Sequence, residues 1–342
     1  MHSSIGALGV TSPVLAAPMA GGPGTPQLVI AAAAAGSMGF LAGGYKTPDA
    51  LATEIQAVRG AQVTFGVNLF APNPVPIDEG AYQTYRQAIQ AEANRYGLDL
   101  STVPRTEHDD HWPEKIDLLL SNPVPVVSFT FGVPDPSVFS ALRKAGSVVA
   151  QTVTSADEAR LAAESGAELL IVQASAAGGH SGTLTPEHIP AEIPLPQLLS
   201  EIAGATRLPM IGGGGIAAPA DVAAALAAGA TAVAVGTALL LSPESGASSA
   251  HRVGLTDSHP RGTVVTRAFT GRPARGLRNE FTERYSALAP TGYPAVHYLT
   301  SPLRKAGAAA NDPEVVNLWA GTGYRHAAAR PAAQTLAALA AV

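Results

Sequence analysis

MIGGGGIAAPADVAAALAAGATAVAVGT, residues 210–237, carries a complete structural unit. A short apolar run, 210–212, breaks into the consecutive glycines 212–215. Pro219 and Asp221 then open an alanine-rich stretch with a proline and an acid in its first turn, as helix starts favour, and this stretch stops near Gly229. A second apolar run, 232–240, follows and contains Gly236-Thr237. The order is strand, glycine loop, helix, strand.

The same alternation repeats towards the N-terminus. Apolar runs at 14–19, 39–42, 63–70, 126–131, 148–153 and 169–174 bring the total to eight. Most lack a polar/apolar alternation, as expected for strands buried on both faces of a parallel sheet. Thr25 and Pro26 read as an N-cap and first helical residue, with Gly36 just past the last turn. Ser155 precedes the first-turn acids Asp157 and Glu158, and Gly166 closes that helix. Eight such units predict an α/β fold of the (β/α)8 TIM-barrel type. A doubly wound sheet is the alternative, and it usually uses fewer strands.

The chain has 342 residues, more than the about 250 of a bare barrel. Two segments carry the excess. Residues 72–122 start Pro-rich, have a helical middle (82–96) and end polar; 242–322 are rich in Gly, Pro and Arg. The expected division is a barrel built from 1–71, 123–241 and 323–342, and a cap built from 72–122 and 242–322. The cap lies over the strand C-termini, where barrel active sites sit. The alanine-rich tail after Arg330 predicts a last helix on the barrel.

Composition narrows the function. The chain is 46% hydrophobic and 14% charged with a net charge of −5, and its basic residues are scattered, so nucleic-acid binding is not expected. There is no cysteine, which excludes disulfides, thiolate catalysis and cysteine-ligated metals. The first ten residues lack a basic signal-peptide region, and 28–42 read as a helix and a strand rather than a membrane span. A soluble cytoplasmic protein is expected.

The loops after the seventh and eighth strands of a barrel often bind phosphate through backbone N–H groups. Here they contain Gly213, Gly214, Gly236 and Thr237, so a phosphate-bearing ligand is expected there. VQASAAGGHSGT, residues 172–183, ends the sixth strand with Gly178, Gly179 and His180. Two bare glycines leave room for a ring or phosphate, and His180 is placed for proton chemistry. Asn68 and Gln173, at the ends of strands three and six, can both donate and accept hydrogen bonds; bonding to loop backbone explains them equally well. The acidic and histidine-rich stretch 107–111 lacks a metal-ligand pattern and reads as a solvated loop. Tyr293 and Tyr298 fall in the cap. No strong nucleophile is present, so a cofactor is expected to do the chemistry.

Several stretches together resemble the nitronate monooxygenase family, formerly called 2-nitropropane dioxygenases. They are APMAGGPGTPQLVIAAAAAGSMGFLAGGY (17–45), FGVNLF (65–70), 172–183, the glycine unit from 212, TRAFTGRPARGLRNEF (266–281) and NLWAGTGYRHA (317–327). The last two favour the class I branch. The resemblance implies an FMN-dependent barrel that oxidises alkyl nitronates, of the propionate 3-nitronate class, with O2 to a carbonyl compound and nitrite. His180 matches the active-site histidine, which binds the nitronate, when protonated by a charge-assisted hydrogen bond, and serves as a base towards neutral nitroalkanes. Asn68 and Gln173 match flavin contacts. Gly179, Gly214, Gly236 and Thr237 match backbone contacts to FMN, Met19 lies near the ring, and Tyr293 or Tyr298 lines the substrate pocket. The expected partners are the small nitronate and O2, with no nucleic acid, no membrane, and a monomeric or homodimeric chain.

The family pattern Gln-Gly-x-Glu-Ala-Gly-Gly-His is altered here, with Ala174 for the glycine and Ala176 for the glutamate. Loss of that carboxylate removes a candidate partner of His180. The rival readings are an NAD(P)H-dependent flavin reductase of the enoyl-acyl-carrier-protein or quinone type, a flavin-binding module without turnover, and a phosphosugar-binding barrel.

Overall fold

The computed structural model describes residues 8–258 and 261–342. The eight apolar runs close into a barrel of β1 (Val14–Ala16), β2 (Gly39–Ala42), β3 (Phe65–Ala71), β4 (Val126–Phe131), β5 (Val148–Val153), β6 (Leu169–Gln173), β8 (Met210–Gly213) and β9 (Ala232–Val235); β7 (Gly179–His180) lies outside it. Neighbouring barrel strands are all parallel, and β1 closes the ring by pairing Val14 with Val233 of β9. The fold is a (β/α)8 barrel.

Strand side chains alternate between two buried sides, which removes the polar alternation. Leu15, Phe40, Val126, Ala150, Leu169 and Ile211 fill the interior. Val14, Leu41, Val67, Val127, Leu170 and Val172 pack outward in the larger core shared with the helices. Gly66 makes room inside: a Cβ there would sit 2.3 Å from the Phe40 ring.

The outer layer consists of α1 (Pro26–Ala33), α2 (Pro48–Gly60), α4 (Trp112–Ser121), α5 (Pro136–Lys144), α6 (Ala156–Ser165), α7 (Leu195–Ala205), α8 (Pro219–Ala227) and the terminal α12 (Ala332–Leu339), while α3 (Glu79–Asn94) belongs to the cap. Their ends carry the expected chemistry. Thr25 Oγ1 accepts from Leu28 N at 3.1 Å, Ser155 Oγ accepts from Glu158 N at 3.2 Å, and Gly166 ends α6 at φ +105°. Asp221 Oδ2 takes the N–H groups of Ala217 and Ala218 at 2.9 and 2.8 Å. Among the described residues no helix is long and apolar enough to cross a membrane.

Two expected strands are shorter. The run 14–19 leaves the sheet after Ala16, and 232–240 leaves it after Val235, where Gly236 turns the chain into a 3-10 turn, Thr237–Leu239. Leu239 and Leu240 are buried all the same. Short apolar runs record burial rather than conformation.

The insertions share a second core. Tyr82, Tyr85 and Ile89 of α3 pack with Phe269 and with residues of α10 (Glu280–Tyr285) and α11 (Ala295–Ala309), which follow α9 (Ser249–Thr256). Tyr85 Oη donates to the Ala268 carbonyl at 2.6 Å. Helix α4 packs with the barrel instead, through Ile116 and Leu119. A small antiparallel sheet joins β10 (Thr263–Thr266), β11 (Ala274–Leu277) and β7, setting Ala274 opposite His180. Only β10, which reads TVVT, carries strand propensity; β7 has two residues and β11 reads ARGL, so long-range pairing makes those two strands.

Candidate active site

The β7–β11 pairing holds His180 at the barrel mouth. Its ring centroid lies 5.6 Å from Phe131, 5.5 Å from Trp319 and 6.0 Å from Tyr293. Its Nε2 is 3.0 Å from Thr270 Oγ1. The Thr270 hydroxyl donates to the Arg272 carbonyl at 3.2 Å. The same hydroxyl accepts from Arg272 N at 3.4 Å, so Thr270 fixes the orientation of the imidazole through Nε2. Burial pushes the His180 pKa down to about 3, and the guanidiniums of Arg272 and Arg304 act in the same direction. The imidazole is neutral at neutral pH.

The Ala176 departure falls elsewhere than expected. The Ala176 carbonyl accepts from Thr322 N at 3.1 Å, and its Cβ would stand 3.3 Å from one placed on Gly215. It belongs to the glycine-loop end of the mouth, and the partner of His180 is Thr270.

Tyr293 is buried against Phe131, with ring centroids 5.3 Å apart, and its hydroxyl donates to Tyr45 Oη at 3.4 Å. Tyr45 stacks on His297 at 4.0 Å with rings 6° from parallel. Burial raises both tyrosine pKa values, so both hydroxyls remain donors. Tyr298 stands further out, and its hydroxyl is 2.6 Å from His108 Nε2. Stretch 107–111 is thus largely exposed, as expected, yet anchored. Asp110 accepts from Tyr45 N at 3.0 Å and pairs with the nearly buried Lys115 at 2.7 Å. The loop closes the tyrosine side of the cavity.

The cofactor-side residues divide by what they touch. Asn68 is buried at the end of β3, and its Oδ1 accepts from Ser128 Oγ at 2.9 Å and Thr130 Oγ1 at 3.0 Å. The amide is thereby oriented, and its Nδ2 has no acceptor among the described residues. Gln173 is committed to the loop: Nε2 donates to the His180 carbonyl at 3.0 Å and Oε1 accepts from Gly182 N at 2.6 Å. It positions the His180 segment. Met19 lies against Gly236, with Sδ 3.3 Å from where a Cβ would stand.

The paired glycines before His180 serve different ends. A Cβ on Gly178 would come within 2.5 Å of the Ala320 and Gly321 backbone, so the bare Cα makes room for that segment. Gly179, at φ +80°, faces open space. Gly214 and Gly215 adopt φ +110° and +78°, beyond Gly213 at the end of β8. No protein acceptor among the described residues takes the N–H groups of Gly214, Gly215 or Gly236. Thr237 Oγ1 accepts from Gly321 N at 2.9 Å, tying this end to the C-terminal segment. Bare N–H groups on positive-φ glycines fit a phosphate, and the free Asn68 amide fits a polar ring edge.

Thr270, Arg272, Phe131, Tyr45, His297, Arg304 and Trp319 were not singled out from the sequence. They come from separate elements, and each alone reads as core or cap. The nearest signal was the length of the matching stretches 17–45, 266–281 and 317–327, which end on or contain Tyr45, Thr270, Arg272 and Trp319.

A neutral histidine in an aromatic enclosure at a barrel mouth, next to phosphate-type glycine loops, defines a barrel enzyme. The family model described as nitronate monooxygenase matches residues 3–341, and the chain belongs to that family of oxidoreductases. It is 34% identical over 332 residues to a probable nitronate monooxygenase of Staphylococcus aureus strain MRSA252, covering 95% of this chain and 92% of the relative. Among solved structures, nitroalkane oxidase from Streptomyces ansochromogenes is 44% identical with a TM-score of 0.93, over 99% of this chain and 97% of that one. FabK from Thermotoga maritima is 25% identical with a TM-score of 0.75, over 97% and 92% of the two chains.

Proposed function

We propose that the chain is an FMN-dependent enzyme that oxidises alkyl nitronates with O2 to a carbonyl compound and nitrite. Support comes from the family and from one observation above the rest: His180 stands at the barrel mouth among Phe131, Trp319 and Tyr293, bonded to Thr270, with burial keeping its imidazole neutral. Such a pocket suits a substrate that arrives as an anion or loses a single carbon-bound proton.

The glycine N–H groups of Gly214, Gly215 and Gly236 would hold the FMN phosphate, while Asn68 Nδ2 and Met19 would meet the ring. FMN held there would supply the one-electron oxidation of the nitronate and the reaction with O2. The rest of the work falls to the chain. Tyr45, whose oxygen accepts from Tyr293, offers its hydroxyl hydrogen to a nitro oxygen, and Phe131 and Trp319 exclude water. For a neutral nitroalkane, the His180 imidazole takes the carbon-bound proton while Thr270, bonded to Nε2, holds the ring in place. The test is aerobic turnover of propionate 3-nitronate with nitrite and O2 measured together. Nitrite release matched by O2 uptake is expected; FMN-loaded protein that releases no nitrite would refute the reading.

The likeness to FabK favours a second reading, an NAD(P)H-dependent flavin reductase. Fast NADPH oxidation without any nitronate would support it.

A further inference from the structure

Arg272 heads the fully buried side chains. Its Nη2 donates to the Thr183 carbonyl and its Nε to that of Ser181 at 3.4 Å. Its Nη1 is buried without a hydrogen-bond partner. No carboxylate forms an ion pair with it among the described residues, and the nearby Glu158 is occupied by Thr154, Thr183 and Leu184. The guanidinium lies 4.0 Å over the Phe131 ring and 6.0 Å from that of Tyr293, two of the rings that enclose His180.

A second cation approaches from α11. Arg304 donates to Thr300 Oγ1 at 3.0 Å and to the His297 carbonyl at 2.9 Å, and it has no acidic partner among the described residues. On the cap side, Asp110 is neutralised by Lys115 at 2.7 Å. His180 is therefore flanked by two guanidiniums that form no direct ion pair among the described residues, with only Glu158 and Glu187 acting on Arg272 from further off, while the imidazole itself carries no charge. Burying a cation without a counter-charge is costly, and an anion entering the cavity offsets that cost.

We propose that Arg272 and Arg304 make the His180 cavity select anions, so that the preference for an anionic over a neutral nitro compound is set by these two guanidiniums acting through Phe131 and His297. Both are positioning residues: they supply field and support, and Arg272 is too deeply buried to touch a ligand. The inference rests on the reading of this cavity as the site for nitro compounds.

The test uses FMN-loaded protein and follows flavin absorbance during titration. One probe is nitrate, a planar monoanion with the oxygen geometry of a nitronate head; the other is nitroethane at a mildly acidic pH, where it is neutral. Arg272→Gln keeps hydrogen-bond donors but removes the charge, and it should weaken nitrate about tenfold, the scale of one partly screened charge pair. Nitroethane affinity should not change. Arg272→Lys keeps the charge and should restore nitrate binding. Arg304→Gln should act in the same sense, and it decides the matter if Arg272→Gln fails to retain FMN. Equal weakening of both probes, or unchanged nitrate affinity, would overturn the inference. Nitrite release by the wild type is scored separately. Its absence beside intact nitrate selectivity would refute the proposed function alone, and its presence beside lost selectivity would refute this inference alone.

Discussion

The two ends of the barrel mouth are built from different materials. Around Gly213, Gly214 and Gly236 the site is backbone: unpaired N–H groups on glycines, with no charged side chain among the groups that would meet a phosphate. Around His180 it is all side chains, drawn from β4, β7, α11 and the loops at 45, 270–272, 293 and 319. A backbone cradle is a matter of conformation and breaks when a Cβ is added. A side-chain pocket is a matter of chemistry and breaks one group at a time.

The largest effect is expected at the backbone end. Gly214→Val places a branched side chain at φ +110°, with its Cβ 2.9 Å from Ala174 O and Ala177 N. Backbone strain and overpacking together cost about 3 kcal/mol, and the purified protein should be colourless with a lowered Tm. A yellow protein of normal Tm would show that the loop yields more easily than its geometry implies.

At the side-chain end, His180→Asn should keep FMN and reduce turnover of a neutral nitroalkane by about 10²–10⁴-fold, the usual range for a lost general base. An already ionised nitronate should suffer less. Equal losses on both substrates would mean that His180 binds charge after all. Thr270→Val removes the Nε2 partner and should cost about tenfold or less on the neutral substrate, the worth of one hydrogen bond of about 1 kcal/mol, with FMN affinity intact.

Acid should find the same end. Burial holds His180 at about 3, His251 at about 4, and His297 well below its ordinary value. In the unfolded chain each titrates near about 6.5. Below that pH the unfolded state binds more protons than the folded one, so stability present above about pH 6.5 is lost progressively as the pH falls. Denaturant midpoints measured from neutral to acid pH should decline over that window; a flat profile would place these imidazoles in contact with solvent. The smallest effect is expected from His108→Ala, which frees Tyr298 at the rim and should shift KM only a few-fold, kcat being preserved.

The same contrast explains what could be read from the sequence. The barrel was legible because its units are local: the N-caps at Thr25 and Ser155, the glycine at Gly166 and the doubly buried runs all lie within one strand and helix. The glycine loops were legible because Gly214 and Gly236 directly follow the seventh and eighth barrel strands. The pocket was legible only at His180 and Tyr293. Arg272 and Thr270 reach His180 across about ninety residues, through a β7–β11 pairing that no local signal announces. Gln173 shows the reverse problem. Its position suggests a cofactor contact, and the structure adds a second task, since one amide N–H goes to the His180 carbonyl and Oε1 accepts from Gly182 N. Residue type and strand end do not reveal which partner a side chain takes.

The decisive measurement is anaerobic mixing of the FMN-loaded protein with propionate 3-nitronate and, separately, with NADPH, followed by flavin absorbance. Rapid loss of absorbance with the nitronate and only slow change with NADPH is the expected result. Rapid reduction by NADPH with no response to the nitronate would contradict nitronate oxidation and assign the chain to the reductases that share its barrel.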